Sequence, residues 1–253
     1  MSILRRRRAL TAAVRRTPAP ALLAVSLLGW AGMVWMTAMT AAQAAGPRFG
    51  SAIAAAHGAH VTDAATSAPH GLLVWIAMVV AMSPLLLIRE VARLWEGSLR
   101  RRRGPTMLAF AAGYGLVWLL AGAIAVAVAS VLGASVWLGG FAVALVIAWQ
   151  CSPMRQRLLN VCHRVPRLRV FGQGAAWDPG RYGVVTGAAC AASCGPIMVL
   201  VLLAGDFHLV AMIGATVLLT AERYHPARRP RWRLPFAATT PEHVALAPYR
   251  HAT

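Results

Sequence analysis

The chain has 253 residues, of which 58% are hydrophobic and 13% are charged; soluble proteins carry about a quarter charged residues, so the composition argues against a water-soluble domain. All 25 basic residues are arginines and the net charge is +18, but they form four blocks between apolar stretches, which is typical of membrane topology and not of a nucleic-acid-binding face. Four cysteines, two of them inside an apolar stretch, exclude a secreted disulfide scaffold.

Six stretches approach the roughly 20 apolar residues that a helix needs to cross a bilayer. They are 20–45, 71–91, 106–132, 135–153, 182–204 and 207–222. The arginines fall in the alternate segments, 24 of them in four groups of six, with Arg48 as the exception. By the positive-inside rule the arginine-rich segments are cytoplasmic. The sequence therefore predicts an all-α, polytopic membrane helix bundle of six transmembrane helices with both termini cytoplasmic.

Three regions follow from this pattern. Residues 1–19 form a basic cytoplasmic N-terminus, residues 20–222 the transmembrane helical domain, and residues 223–253 a basic, Pro-rich cytoplasmic tail that we expect to be disordered. Ala42-Gln43-Ala44 resembles a signal-peptide cleavage site, and cleavage there leaves five spans. The apolar run that precedes it exceeds the 7–15 residues of a typical signal peptide, which favours a retained first span.

The fifth stretch contains two cysteines, Cys190 and Cys194, whose spacing puts both thiols on one face of a helix, about one turn apart. Pro196 has no N–H to donate, so we expect a free carbonyl near Ala192 and a kink beside the thiols. Small residues recur every four positions in the same helix and predict the close approach of another helix, which brings its side chains to the thiols. They are Gly183, Gly187, Ala191 and Gly195. The alternative interpretation is that the cysteines pack as small apolar residues.

Cys162 and His163 lie in the arginine-rich segment after the fourth stretch. Apolar residues there recur at helical spacing, and the arginines fall between them, which predicts an amphipathic extension of the fourth span at the inner surface. The apolar face comprises Met154, Leu158, Val161 and Cys162, and the opposite face Arg155, Arg157 and Arg164. His163 is either a metal ligand or a solvated surface histidine.

Methionines cluster in the predicted outer halves of the first two spans. Met78 and Met82 lie one helical turn apart, and Met33, Met36 and Met39 precede them in the first span. Thioether and thiolate ligands together select soft cations such as Cu(I), although methionine is also a common filler of membrane helices. The outer loop adds candidate capture groups, namely His57, His60, His70 and Asp63.

Carboxylates near the membrane are few, and none is predicted at the bilayer centre. They are Glu90, Glu96, Asp206 and Glu222. Because proton-coupled transporters usually carry a buried carboxylate or histidine, this pattern argues against such transport. Known enzyme signatures are absent as well, so we expect no enzymatic activity.

Several of these motifs resemble a bacterial family of predicted metal-binding integral membrane proteins, catalogued as domain of unknown function 2182. The resemblance covers about 70–224 and departs from the family pattern where Thr186-Gly187 replaces His-Gly. It rests on Trp75, Met78, Ala81, Met82 and Pro84, on Trp95 and the Arg100–Arg103 run, on Trp149-Gln150, Pro153, Arg155 and Cys162-His163-Arg164, on Cys190, Ser193, Cys194 and Met198, and on Glu222-Arg223. It implies a membrane helix bundle that binds metal.

The sequence as a whole predicts a multi-pass protein of the bacterial cytoplasmic (inner) membrane that binds a soft metal ion, and that hands it over or translocates it. Copper as Cu(I) is favoured, with zinc as the alternative. The predicted ligands are Cys190, Cys194, Cys162, His163, Met78 and Met82. The expected partners are the lipid bilayer, the metal ion and other membrane helices, but no nucleic acid. A non-catalytic scaffold or accessory subunit is the second hypothesis, and a membrane thiol oxidoreductase is the third, because an intact helix places the two thiols poorly for a disulfide.

Overall fold

The computed structural model describes residues 18–45, 68–132, 136–162, 169, 172, 174–225 and 229–232, and within these ranges the chain is helical and contains no strand. Seven α-helices occur there, with short 3-10 turns at Arg100–Arg102 and Gly205–Phe207. They are α1 (Ala19–Ala45), α2 (Ala68–Gly97), α3 (Arg103–Leu132), α4 (Val136–Cys151), α5 (Pro153–Cys162), α6 (Gly174–Leu202) and α7 (His208–Tyr224).

Four helices, α1, α2, α3 and α6, are long and apolar enough to cross a membrane, and a fifth span follows if α4 and α5 are taken together. The sixth predicted stretch corresponds to α7, which has 17 residues, fewer than the roughly 20 that a bilayer core requires. The helical class is therefore confirmed, together with four to five helices suited to a membrane. Six spans and cytoplasmic termini stay predictions.

The fourth predicted span differs from the structure, because it does not continue as one helix into the arginine-rich segment. The axes of α4 and α5 meet at an angle of 61°. Ser152 separates them, and its Oγ accepts a hydrogen bond of 3.2 Å from the backbone N–H of Arg155. A serine that caps a helix, followed by a proline at its first position, is a strong helix start, so α5 begins as a new helix in a new direction.

Helices α3 and α6 run parallel and touch backbone to backbone. A Cβ at Gly183 would lie 2.2 Å from the carbonyl oxygen of Phe110, and one at Gly187 would lie 3.2 Å from that of Tyr114. The predicted close approach at the small-residue stripe is confirmed at these two glycines. It does not extend to Gly195, where a Cβ would meet open space.

Helix α2 runs antiparallel to α3 and also contacts α1. The indole Nε1 of Trp75 donates a 3.0 Å hydrogen bond to the carbonyl of Trp118, and the Trp75 ring lies over Gly122. On the other side of α2, Ser26 of α1 donates to the carbonyl of Ala81. The interior between α2, α3, α6 and α7 is one contiguous buried cluster that contains both cysteines of α6.

Candidate metal site

Two buried thiols lie side by side on α6. Cys190 is 0% exposed and Cys194 is 4% exposed, both are free thiols, and they lie one helical turn apart on the same face of α6. Ser193 lies beside them, with its Oγ 3.5 Å from the Cys194 sulfur while it donates to the Cys190 carbonyl at 3.1 Å. The predicted shared face of the two thiols is therefore present in the fold.

A tyrosine from α3 completes the surroundings of the first thiol. The Tyr114 hydroxyl lies 3.5 Å from the Cys190 sulfur and 3.1 Å from the Ser83 Oγ of α2. It reaches this point because Gly187 allows α6 to lie directly against the Tyr114 backbone. Three helices thus meet at Cys190, and the side chain that the close approach brings to the thiols is this tyrosine.

The backbone next to the thiols is opened by Pro196 and is bound by side chains of α4 and α5. Trp149 Nε1 donates a 3.0 Å hydrogen bond to the Ala192 carbonyl, the group that Pro196 leaves without its helical donor. Arg155 Nε donates at 3.2 Å to the next carbonyl, that of Ser193. The expected free carbonyl is confirmed, and both contacts hold the turn that carries the thiols.

The predicted orientation of the segment after the fourth span was wrong at its first turn. Arg155 is 3% exposed, whereas Met154 is 51% exposed. The guanidinium of Arg155 forms a two-pronged ion pair with the carboxylate of Glu222 in α7, with 3.0 Å between Nη1 and Oε1. A buried guanidinium needs such partners, and the carboxylate together with the Ser193 carbonyl supplies them.

A second ion pair, which the sequence did not predict, lies inside the bundle. Arg223 Nη2 lies 3.2 Å from Glu90 Oε1, and the two side chains are 4% and 2% exposed. Cys162, which is itself 2% exposed, lies near Arg223. Glu90, predicted as a carboxylate near the membrane, is therefore buried and paired with an arginine 133 residues away.

The remaining predicted site residues are distributed unevenly. Met78 and Met82 are 0% and 2% exposed and belong to the same buried cluster as the two thiols. His163, like His57, His60 and Asp63, lies outside the described residues. His70 is half-buried near the start of α2. Within the described ranges, no group of three or more His, Cys, Asp or Glu side chains is arranged to hold a metal ion.

The resemblance motifs contain three of the residues at this site that were not predicted as functional. Trp149, Arg155 and Glu222 stand in the resemblance motifs, which are far apart in sequence, and they meet beside the Ala192 and Ser193 carbonyls of α6. No comparable signal singled out Tyr114, because an aromatic residue in an apolar stretch is ordinary in a membrane helix.

A family model described as PpoB2, copper chaperone, matches residues 72–240. The chain belongs to this copper chaperone family. The match covers α2 to α7 and every predicted ligand, and it nearly coincides with the range 70–224 of the resemblance, although the name domain of unknown function 2182 is not confirmed. No curated protein and no solved structure matches the chain.

Proposed function

We propose that this member of the copper chaperone family binds Cu(I) between the thiolates of Cys190 and Cys194 and passes the ion on without enzymatic chemistry. The observation that supports this most directly is the pair of buried thiols one turn apart on α6, beside the carbonyl that Pro196 leaves without a helical donor. Thiolates select soft cations, and each thiol loses its proton when the metal binds. Copper is here the cargo of the protein.

The donor set favours copper over zinc. A structural zinc ion takes four protein ligands, commonly cysteine and histidine. The described ranges offer no cluster of even three His, Cys, Asp or Glu side chains, whereas Cu(I) accepts two or three soft ligands. Zinc bound in place of copper is the outcome that overturns this part of the proposal.

The exterior of the bundle supports a location in the membrane. Large apolar side chains point outward along several helices, and such an extensive apolar exterior suits contact with lipid tails or with other membrane helices. They include Leu28 at 72% exposure, Leu108 at 72%, Ile124 at 66% and Phe141 at 66%. We propose a multi-pass protein of the bacterial cytoplasmic membrane with six spans.

The order of residues along α2 suggests a direction of passage. Ser83 meets Tyr114 and Cys190, so Met78 lies on one side of the thiol pair and Glu90 on the other. Cys162 shares the second side, because it ends α5 in the arginine-rich segment that is predicted to be cytoplasmic. With the predicted topology, copper moves inward past Met78 and Met82 to Cys190 and Cys194, and leaves by way of Cys162 and His163.

Metal analysis of protein purified under reducing conditions tests the thiol site. We expect copper in the wild type, and a loss of copper in Cys190→Ser and in Cys194→Ser, since one thiolate alone is a poor site. Cys151→Ser is the matched control, because Cys151 is a free cysteine outside the pair. Equal copper in the wild type and in the double serine variant means that the cysteines only pack, which favours the scaffold hypothesis.

Copper accumulation in expressing cells tests the passage. We expect Met78→Leu/Met82→Leu to reduce uptake, because leucine keeps the volume but removes the sulfur. Met154→Leu, at an exposed methionine, is the control. If uptake is unchanged in the double variant but lost in the cysteine variants, the chemistry is confined to α6 and the pathway is wrong.

A further inference from the structure

The most deeply buried part of the bundle is rich in sulfur. The largest side chains that are essentially unexposed comprise four methionines and Cys190 but only one leucine, Leu94, although leucine is more common than methionine in this chain. The four methionines are Met33, Met78, Met82 and Met212. Methionine also fills gaps in membrane helices, but four thioethers and a thiol at these positions place soft metal ligands in the interior.

The register of α6 extends this pattern beyond the thiol pair. Cys190, Cys194 and Met198 are spaced by four residues and therefore form one continuous face. Met198 is 2% exposed and belongs to the same contiguous buried cluster as Met78 and Met82 of α2 and Met212 of α7. Methionines from three helices thus lie in the cluster that also holds the thiols.

We infer that Met78, Met82, Met198 and Met212 form a thioether site for a soft monovalent cation, Cu(I) or Ag(I), next to the thiol pair. The site adds Met198 and Met212 to the ligands of the proposed function. The inference rests on that function, because copper reaches the site along the proposed route. Thioether sulfurs are soft ligands that carry no charge and no proton. A cation is therefore held there without deprotonation of its ligands, and the interior gains no negative charge when the site is empty.

This chemistry separates the two sites by their response to pH. Binding at a thiol pair strengthens as pH rises, because the thiols must lose their protons to bind metal. Binding at thioethers has no proton to displace and is the same at pH 6 and at pH 8. The difference distinguishes ligation by methionine from packing by methionine, which gives no binding at either pH.

Silver titration of the purified full-length chain in detergent tests the inference with four proteins. They are the wild type, Cys190→Ser/Cys194→Ser, Met198→Leu/Met212→Leu, and the combination of both pairs. A fifth protein that adds Met107→Leu/Met154→Leu to the cysteine pair is the matched control, since Met107 only packs against the cluster and Met154 is exposed. Retained helical circular dichroism and a single elution peak check the fold of each variant.

We expect the cysteine variant to retain weaker, pH-independent Ag(I) binding that is lost in the combination and kept in the control. If the combination of both pairs binds Ag(I) as tightly as Cys190→Ser/Cys194→Ser does, the thioether site is wrong. The proposed function fails in a different way, namely if Cys190→Ser/Cys194→Ser binds as tightly as the wild type and with the same pH dependence. A cysteine variant that binds no silver at all also refutes the thioether site, and leaves the thiol site intact.

Discussion

The buried pair between Glu90 and Arg223 gives the sharpest stability prediction. Both side chains are almost fully enclosed, at 2% and 4% exposure, so Arg223→Gln leaves the Glu90 carboxylate without its countercharge in a low-dielectric interior. Removal of one partner from a buried pair costs about 3–5 kcal/mol. At about 2–4 °C per kcal/mol for a chain of this size, the melting temperature should fall by about 6–20 °C.

Thermal unfolding in detergent, followed by circular dichroism at 222 nm, measures this change. Glu90→Gln/Arg223→Gln should recover most of the loss, because two neutral amides leave no buried charge. Arg169→Gln is the control: this arginine pairs with Asp178 but its side chain is 72% exposed, so we expect no measurable shift. A drop for Arg223→Gln no larger than that of the control refutes the buried pair, as does a double variant that is as unstable as the single one.

Three further predictions concern topology and packing. An alkaline-phosphatase fusion after His60 should be active and one after Arg167 silent, and the opposite result contradicts the arginine-based topology. Gly183→Leu should prevent α3 and α6 from packing and abolish folded protein in size-exclusion chromatography, whereas Gly195→Leu should elute normally, because Gly183 touches the backbone of α3 and Gly195 has no atom near its Cβ position. Trp149→Phe should lower the melting temperature by about 2–12 °C, since an unpaired backbone carbonyl costs about 1–3 kcal/mol; an unchanged value shows that the Ala192 carbonyl does not need the indole.

Local sequence patterns predicted the helices and the thiol face well. The predicted stretch 106–132 agrees with α3 (Arg103–Leu132) at both ends, and the stretch 182–204 agrees with α6 (Gly174–Leu202) at its C-terminal end. Both agree because an unbroken apolar stretch in a membrane forms a helix. The effect of Pro196 on the Ala192 carbonyl was predictable for the same kind of reason, since it depends only on the missing N–H of proline. The helical spacing of Cys190 and Cys194 needs no tertiary information either.

Long-range pairing was not predictable from these patterns. Arg155 reads as a surface residue in an amphipathic helix, and only the fold brings it to Glu222, 67 residues away. Glu90 likewise reads as an end-of-span carboxylate until α7 supplies Arg223. The helix axis changes direction by 61° between α4 and α5, which begins at Pro153. The hydropathy of the sequence does not reveal this change, so it could not predict which side chains of α5 face the bundle.

Copper K-edge X-ray absorption of the copper-loaded protein identifies the ligands of the bound ion. We expect a Cu(I) edge and a first coordination shell of sulfur alone, at wild-type intensity in Cys151→Ser and lost or changed in Cys190→Ser/Cys194→Ser. A first shell of nitrogen or oxygen that is the same in the wild type and in the double serine variant contradicts the proposed function, because copper then binds away from the thiol pair of α6.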